Sequence, residues 1–151
     1  MGRARHSGKA SKGLILVRRK MSDTLHRNTR QRTAIRKVFQ SVNRPLSAQQ
    51  VLELAQAEVE GIGIATVYRN LKTLLDEGWL TQVELPGGNL LYECAGKAHH
   101  HHFQCESCNR VYELEGCVPT IEKLARPGFK VRRHELVLYG TCATCRRPVQ
   151  N

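Results

Sequence analysis

The chain has 151 residues, of which 40% are hydrophobic and 25% charged, so it encodes globular structure rather than a disordered polymer. That length holds one compact domain or two small ones, and two small ones would each be marginal without a metal or a partner. No run approaches the roughly 18 apolar residues of a membrane span, and Leu14–Val17 is too short for a secretory signal, so a cytoplasmic protein with no membrane partner is expected.

The net charge of +11 is unevenly placed. Residues 1–30 carry nine basic and one acidic residue, residues 31–80 six and five, and residues 81–151 nine and seven. The excess lies in an N-terminal segment, which suits contact with an anionic polymer. Residues 1–24, rich in Gly, Ser, Lys and Arg, read as a disordered basic arm.

From about Thr29 the apolar spacing turns helical, with Ile35, Val38, Phe39 and Val42 at i, i+3, i+4 and i+7. Asn43-Arg44-Pro45 ends that helix. Ser47 with Gln50 predicts a capping box for a second helix, whose apolar face is Val51, Leu52, Leu54 and Ala55. A third helix is predicted over Ala65 to Glu77, with Val67, Leu71, Leu74 and Leu75 inward and Gly78 as its C′ residue. Trp79 to Leu85 and Leu90 to Cys94 then read as a hairpin around Pro86-Gly-Gly-Asn89. Three short helices followed by a hairpin is the order of a winged helix-turn-helix, whose last helix enters the major groove. The polar side of that helix carries Thr66, Tyr68, Arg69, Asn70, Lys72 and Thr73. Arg bonds guanine or phosphate, and Tyr contacts a thymine methyl.

Residues 95–98 read as a hinge. Beyond it lie a strand at Val111 to Leu114, a short helix near Pro119 to Ala125, and a longer strand over Phe129 to Tyr139. Six cysteines in such a chain argue for metal before disulfides. Cys105-Glu-Ser-Cys108 and Cys142-Ala-Thr-Cys145 are two C-x2-C knuckles separated by 33 residues. Together they complete a closed four-sulfur set that suits structural Zn²⁺. His99-His100-His101-His102 alternates in a strand, so His100 and His102 face one way and His99 and His101 the other, and one tract can feed two sites. Candidate partners are Cys94, Glu93 and Glu113 for the first, and Glu122 and His134 for the second. Cys117 is left as a small buried hydrophobe.

The stretches "IGIATVYRNLKTLLDEG", "AHHHHFQCESC" and "RRHELVLYGTCATC" resemble the ferric uptake regulator (Fur) family of bacterial metal-dependent repressors, over about residues 25–147. The resemblance implies an α+β protein, with a winged helix-turn-helix DNA-binding domain over residues 25–94 and a small α/β dimerisation domain with structural zinc over residues 99–151. It implies a sensor at the hinge built from Cys94, His100, His102 and Glu113, with Glu93 beside them, and an additional site of His99, His101, Glu122 and His134. The DNA-binding set is Arg27, Arg30, Thr66, Tyr68 and Arg69, of which Arg27, Tyr68 and Arg69 match DNA-contacting positions of relatives. Iron-sensing relatives carry an aspartate where this chain has His101. Four histidines after a cysteine look most like the zinc-sensing branch, although that branch's ligand from the first wing strand is replaced near Thr81 and Gln82.

The expected protein is therefore a homodimeric, metal-dependent repressor of metal-homeostasis genes on a pseudo-palindromic double-stranded DNA operator. Its regulatory ion is expected to be Zn²⁺ in preference to Fe²⁺ or Mn²⁺, with an iron- or peroxide-responsive repressor of the same family as the alternative. A zinc deaminase would need His-x-Glu ahead of Pro-Cys-x-x-Cys, which is missing, so no enzyme is expected. A metal-buffering protein would leave the helix order and the basic arm without a purpose.

Overall fold

The computed structural model describes residues 11–88 and 90–146, with side chains from residue 26 onward. The first ten residues of the expected basic arm and residues 147–151 lie outside the described residues.

The first helix, α1, spans Ser11–Val42, so residues 11–24, expected to be disordered, are helical backbone continuous with the predicted helix. Their composition permits this: Leu14 to Met21 contains no proline or glycine, and leucine, arginine, lysine and methionine are good helix formers. Asn43, at φ 45°, ends α1 in the left-handed conformation. Helix α2 spans Ala48–Gln56, and its N-terminus is the full capping box: Gln50 N–H donates to the Ser47 hydroxyl, while the Ser47 N–H donates to the Gln50 side chain. Helix α3 spans Ile64–Asp76, and Gly78, at φ +69°, turns the chain into the hairpin.

Strands β1 (Leu80–Glu84) and β2 (Leu90–Cys94) pair antiparallel, with Leu80 opposite Cys94 and Glu84 opposite Leu90. Leu46, between α1 and α2, bonds Tyr92 in both directions at 2.9 Å, which fastens β2 to the helices. The core is contributed by one face of each element: Ile35, Val38 and Phe39 of α1, Val51 and Ala55 of α2, Val67, Leu71 and Leu74 of α3, and Leu80 and Tyr92 of the hairpin. Leu54, expected inward, is 38% exposed, because Val51 and Ala55 at i and i+4 already define the buried stripe.

The second half is a three-stranded sheet in the order β4-β3-β5, made of β3 (His100–Cys105), β4 (Val111–Glu115) and β5 (Val137–Gly140). Strands β3 and β4 run antiparallel, and β3 and β5 parallel. The predicted strand over Phe129 to Tyr139 is reduced to Val137–Gly140. With His102 in register with Val137, residues before about 135 run past the start of β3 and have no ladder to join. The predicted helix near Pro119 is one turn of 3-10 helix, Ile121–Leu124. Helix α4, Ala143–Arg146, carries the last knuckle. Leu85, Leu91 and Val111, with Val83 and Val137 against them, form a small cluster that packs the hairpin on this sheet. Leu124, Phe129, Leu138 and Tyr139 are exposed, so the second half buries little of its own apolar surface. No described helix is long and apolar enough to cross a membrane.

Candidate metal centres and nucleic-acid face

Three groups of metal-ligating side chains occur among the described residues, each with its ligand atoms within 4.8 Å of one another. The first is Cys105, Cys108, Cys142 and Cys145. Cys105 ends β3. The turn after it closes through the Asn109 N–H, which donates to the Cys105 carbonyl at 2.8 Å with Asn109 at φ 54°. The Cys142 N–H donates to the Cys105 sulfur at 3.3 Å. The Cys108 and Cys142 sulfurs are 3.9 Å apart, far beyond a disulfide bond. That separation matches the edge of a tetrahedron with metal–sulfur bonds of about 2.3 Å, which is about 3.8 Å. The Cys145 amide, helped by the Tyr112 hydroxyl, pulls Cys142 down to about 6, whereas Cys145, which shares protons with Cys108 and Cys142, is pushed up to about 12. The donor set fits zinc, which would replace those shared protons.

The second group is Glu93, His100 and His102. Glu93 is 5% exposed on β2, with His100 Nε2 at 3.3 Å and His102 Nε2 at 3.4 Å from its carboxylate. His100 Nδ1 is 2.8 Å from the Ala98 carbonyl, so that nitrogen donates and Nε2 is the ring atom turned to the site. Burial works to raise the Glu93 carboxyl. The His102 hydrogen bond, with the charges of His100, His102 and Lys97, outweighs it and holds the group below its ordinary value.

The other two expected members of this site lie outside the group. Strand alternation turns Cys94 the opposite way from Glu93, onto the helical core, and burial pushes its thiol up. Glu113 is directly across the ladder from His102, but its carboxylate is held by the Lys97 ammonium.

The third group is His99, His101, His134 and Cys117. His99 Nε2 and His134 Nε2 are 3.2 Å apart, and the Cys117 sulfur is 3.0 Å from His134 Nε2. The His101 ring lies 4.6 Å from that of His99 and 5.0 Å from that of His134. Glu122, expected here, is outside the group, because the helix that was to carry it is a single 3-10 turn. Cys117 is exposed rather than a buried hydrophobe, since Gly116, at φ +84°, turns the chain out of β4 before it.

Away from these three groups, α1 and α3 form a cleft lined by Arg27, Arg32, Thr66, Arg69, Asn70 and Thr73. Arg69 donates to the Thr66 hydroxyl at 3.0 Å. Arg32 and Arg36 share the Glu77 carboxylate at 3.0 and 2.8 Å. Tyr68 is 54% exposed and lines a separate depression with Gln49 and Leu90, and Arg30 is exposed on α1 outside the cleft. Sequence reasoning missed Cys117, Lys97 and Glu77. Only Cys117 had a signal, its place a few residues past a strand that feeds a histidine tract.

A winged helix with a basic cleft on its third helix is joined to a small sheet that gathers cysteines and histidines, an architecture suited to contact with DNA in one half and to metal ligation in the other. Residues 24–139 match the model of the ferric uptake regulator family, and the chain belongs to that family. Its members are metal-responsive, DNA-binding transcription regulators rather than enzymes. The chain is 38% identical over 100 residues to the ferric uptake regulation protein of Campylobacter jejuni, spanning 62% of that protein's length and 62% of its own. It is 32% identical over 123 residues to the zinc uptake regulation protein of Mycobacterium tuberculosis, covering 80% of this chain and 95% of that protein. Among solved structures it is similar to a zinc-bound manganese uptake regulator, with a TM-score of 0.66 at 27% identity over 74% of this chain and 87% of that one. The iron-containing ferric uptake regulator of Francisella tularensis gives a TM-score of 0.59 at 30% identity, over 78% and 92%.

Proposed function

We propose that this chain is a homodimeric, metal-dependent repressor that binds a pseudo-palindromic DNA operator and controls metal-homeostasis genes. The observation that carries it is the placement of Glu93. The carboxylate belongs to the hairpin of the DNA-binding half, whereas His100 and His102 belong to the second sheet. A divalent cation held by all three supplies a cross-link between the halves and fixes one orientation of the recognition helix. Linkage requires that DNA then tighten the metal by the same factor. Cys105, Cys108, Cys142 and Cys145 hold structural zinc, and His99, His101 and His134 belong to a further site. Arg27, Thr66 and Arg69 face the phosphates and base edges from one cleft, with Arg30 and Tyr68 flanking it. The exposed Leu138 and Tyr139 of β5 supply apolar surface for the dimer.

We assign Zn²⁺ as the regulatory ion. The 95% coverage of a zinc uptake regulation protein supports it, as does the higher affinity of nitrogen and oxygen donors for Zn²⁺ than for Fe²⁺. A second reading, Fe²⁺, is favoured by one observation: with Cys94 turned to the core, the site has two imidazoles and a carboxylate and no thiolate. Operator binding by the metal-stripped protein, reloaded with Zn²⁺, Fe²⁺ or Mn²⁺ in turn, decides between them. Activation by Zn²⁺ that is lost in Glu93→Gln supports the first reading. Activation by Fe²⁺ alone supports the second, and activation unaffected by Glu93→Gln overturns the hinge site.

A further inference from the structure

We propose that Cys117 is the fourth ligand of a closed site with His99, His101 and His134, and that its thiolate commits this site to a zinc-class divalent cation. The proposal deepens the further site named above. Two independent observations carry it. The first is geometric: one ligand atom from each of the four residues lies within 4.8 Å of the rest, with the Cys117 sulfur 3.0 Å from His134 Nε2. The second is an unmet need. His101 is 3% exposed, yet neither of its ring nitrogens has a hydrogen-bond partner. A buried imidazole without partners loses its hydration and gains nothing in return, unless a cation takes its lone pair.

Burial does not explain where Cys117 sits, because it is exposed. No carboxylate belongs to the group among the described residues. Three neutral imidazoles and one thiolate form a four-donor set for zinc, and the sulfur disfavours Mn²⁺, Mg²⁺ and Ca²⁺. On binding, the thiol gives its proton to solvent, the sulfur lone pair bonds the cation, and no electron is transferred. The four residues come from the start of β3, the chain just past β4 and the chain just before β5. The cation would therefore fasten residues 117–134, whose only regular element is the 3-10 turn Ile121–Leu124, to the sheet.

The test uses the full chain with its four-cysteine zinc retained and Co²⁺ as the probe. Titration of the wild type is expected to give one equivalent with thiolate-to-cobalt charge transfer and intense tetrahedral ligand-field bands. Cys117→Ser should abolish that charge transfer and weaken Zn²⁺ binding at this site by more than about tenfold. Cys117→Asp should restore cation binding without the charge transfer, and Cys94→Ser should leave it intact. Zinc should slow hydrogen exchange over residues 117–134 in the wild type but not in Cys117→Ser. Charge transfer that survives Cys117→Ser, or disappears in Cys94→Ser, overturns the proposal. Charge transfer that survives Cys117→Ser leaves the hinge reading untouched, whereas its loss in Cys94→Ser would also add a thiolate to the hinge group; the hinge reading itself is tested by metal-activated DNA binding in Glu93→Gln.

Discussion

The cleft between α1 and α3 contains arginines of unequal electrostatic standing, and salt titration of DNA binding should separate them. Arg32 is partly neutralised, because its guanidinium and that of Arg36 share the single Glu77 carboxylate. Among the described residues Arg27 and Arg69 carry no ion pair, and Arg69 is tied only to the Thr66 hydroxyl. Each cation that neutralises a phosphate contributes about 0.9 to the fall of log K with log salt concentration. Over a fourfold rise from about 50 to about 200 mM, one contact is worth about 3.5-fold in affinity, and the two copies in a dimer about 12-fold. Arg27→Ala should therefore lower the slope by about 1.8 per dimer and weaken specific and random DNA alike. Arg32→Ala should change the slope by about half as much, about 0.9 per dimer, because the shared Glu77 carboxylate offsets about half of its charge. Glu77→Gln should steepen the slope, since it frees two arginines per protomer. Fluorescence anisotropy of a labelled operator with the metal-loaded protein, repeated across a salt series, reads all three variants. Equal losses for Arg27→Ala and Arg32→Ala would refute the ranking.

Cys142→Ser should remove about one equivalent of zinc per chain and dissociate or unfold the dimer, as checked by metal analysis and light scattering, because a half with little buried apolar surface draws folding energy from its metal. Phe39→Ala, at the centre of the helical core and edge-on to Trp79 at 6.2 Å, should cost about 3–5 kcal/mol in denaturant unfolding. Ser47→Ala removes one arm of the capping box and should cost about 1 kcal/mol in the same assay. Tyr68→Ala should flatten the preference for operator over random DNA while leaving the salt slope unchanged, as measured by competition binding.

The DNA-binding half was legible because each of its elements carries its own local signal. The capping box at Ser47, the left-handed exit at Gly78 and the i, i+3, i+4 spacing of α1 and α3 act over a few residues, and the structure keeps them. The long strand before Tyr139 failed because alternation describes a strand's faces but says nothing about how far its neighbour extends, and β3 begins only at His100. The hinge group was only half legible. Alternation along β2 already separates Leu91 and Glu93 from Tyr92 and Cys94, and the buried Tyr92 fixes which pair meets the helices. The resemblance instead matched Cys94 and Glu113 to the sensor and left Glu93 beside them. Lys97 holding Glu113, and Glu77 holding two arginines, are contacts between residues 16 or more positions apart, which no local pattern encodes.

The double hydrogen bond between Leu46 and Tyr92 makes β2 a lever rather than an appendage. One side of this strand reaches the histidines through Glu93, the other is anchored among the helices through Tyr92, and its backbone is clamped to the segment joining α1 and α2. A pull on the Glu93 carboxylate thus travels through strand and ladder, both stiff, before it reaches α3. The Ala95 N–H still donates to the Trp79 carbonyl at 3.0 Å, and beyond it Gly96, at φ +78°, begins a stretch to Ala98 outside either sheet, where a metal-driven change of angle is expected to be taken up. If the metal acts through this segment, the helices, hairpin and cleft are expected to turn together as one body. Metal should change hydrogen exchange at residues 95–98 and leave the amides of α3 as they were; loosened α3 amides would mean that the signal distorts the reading helix instead of re-aiming it.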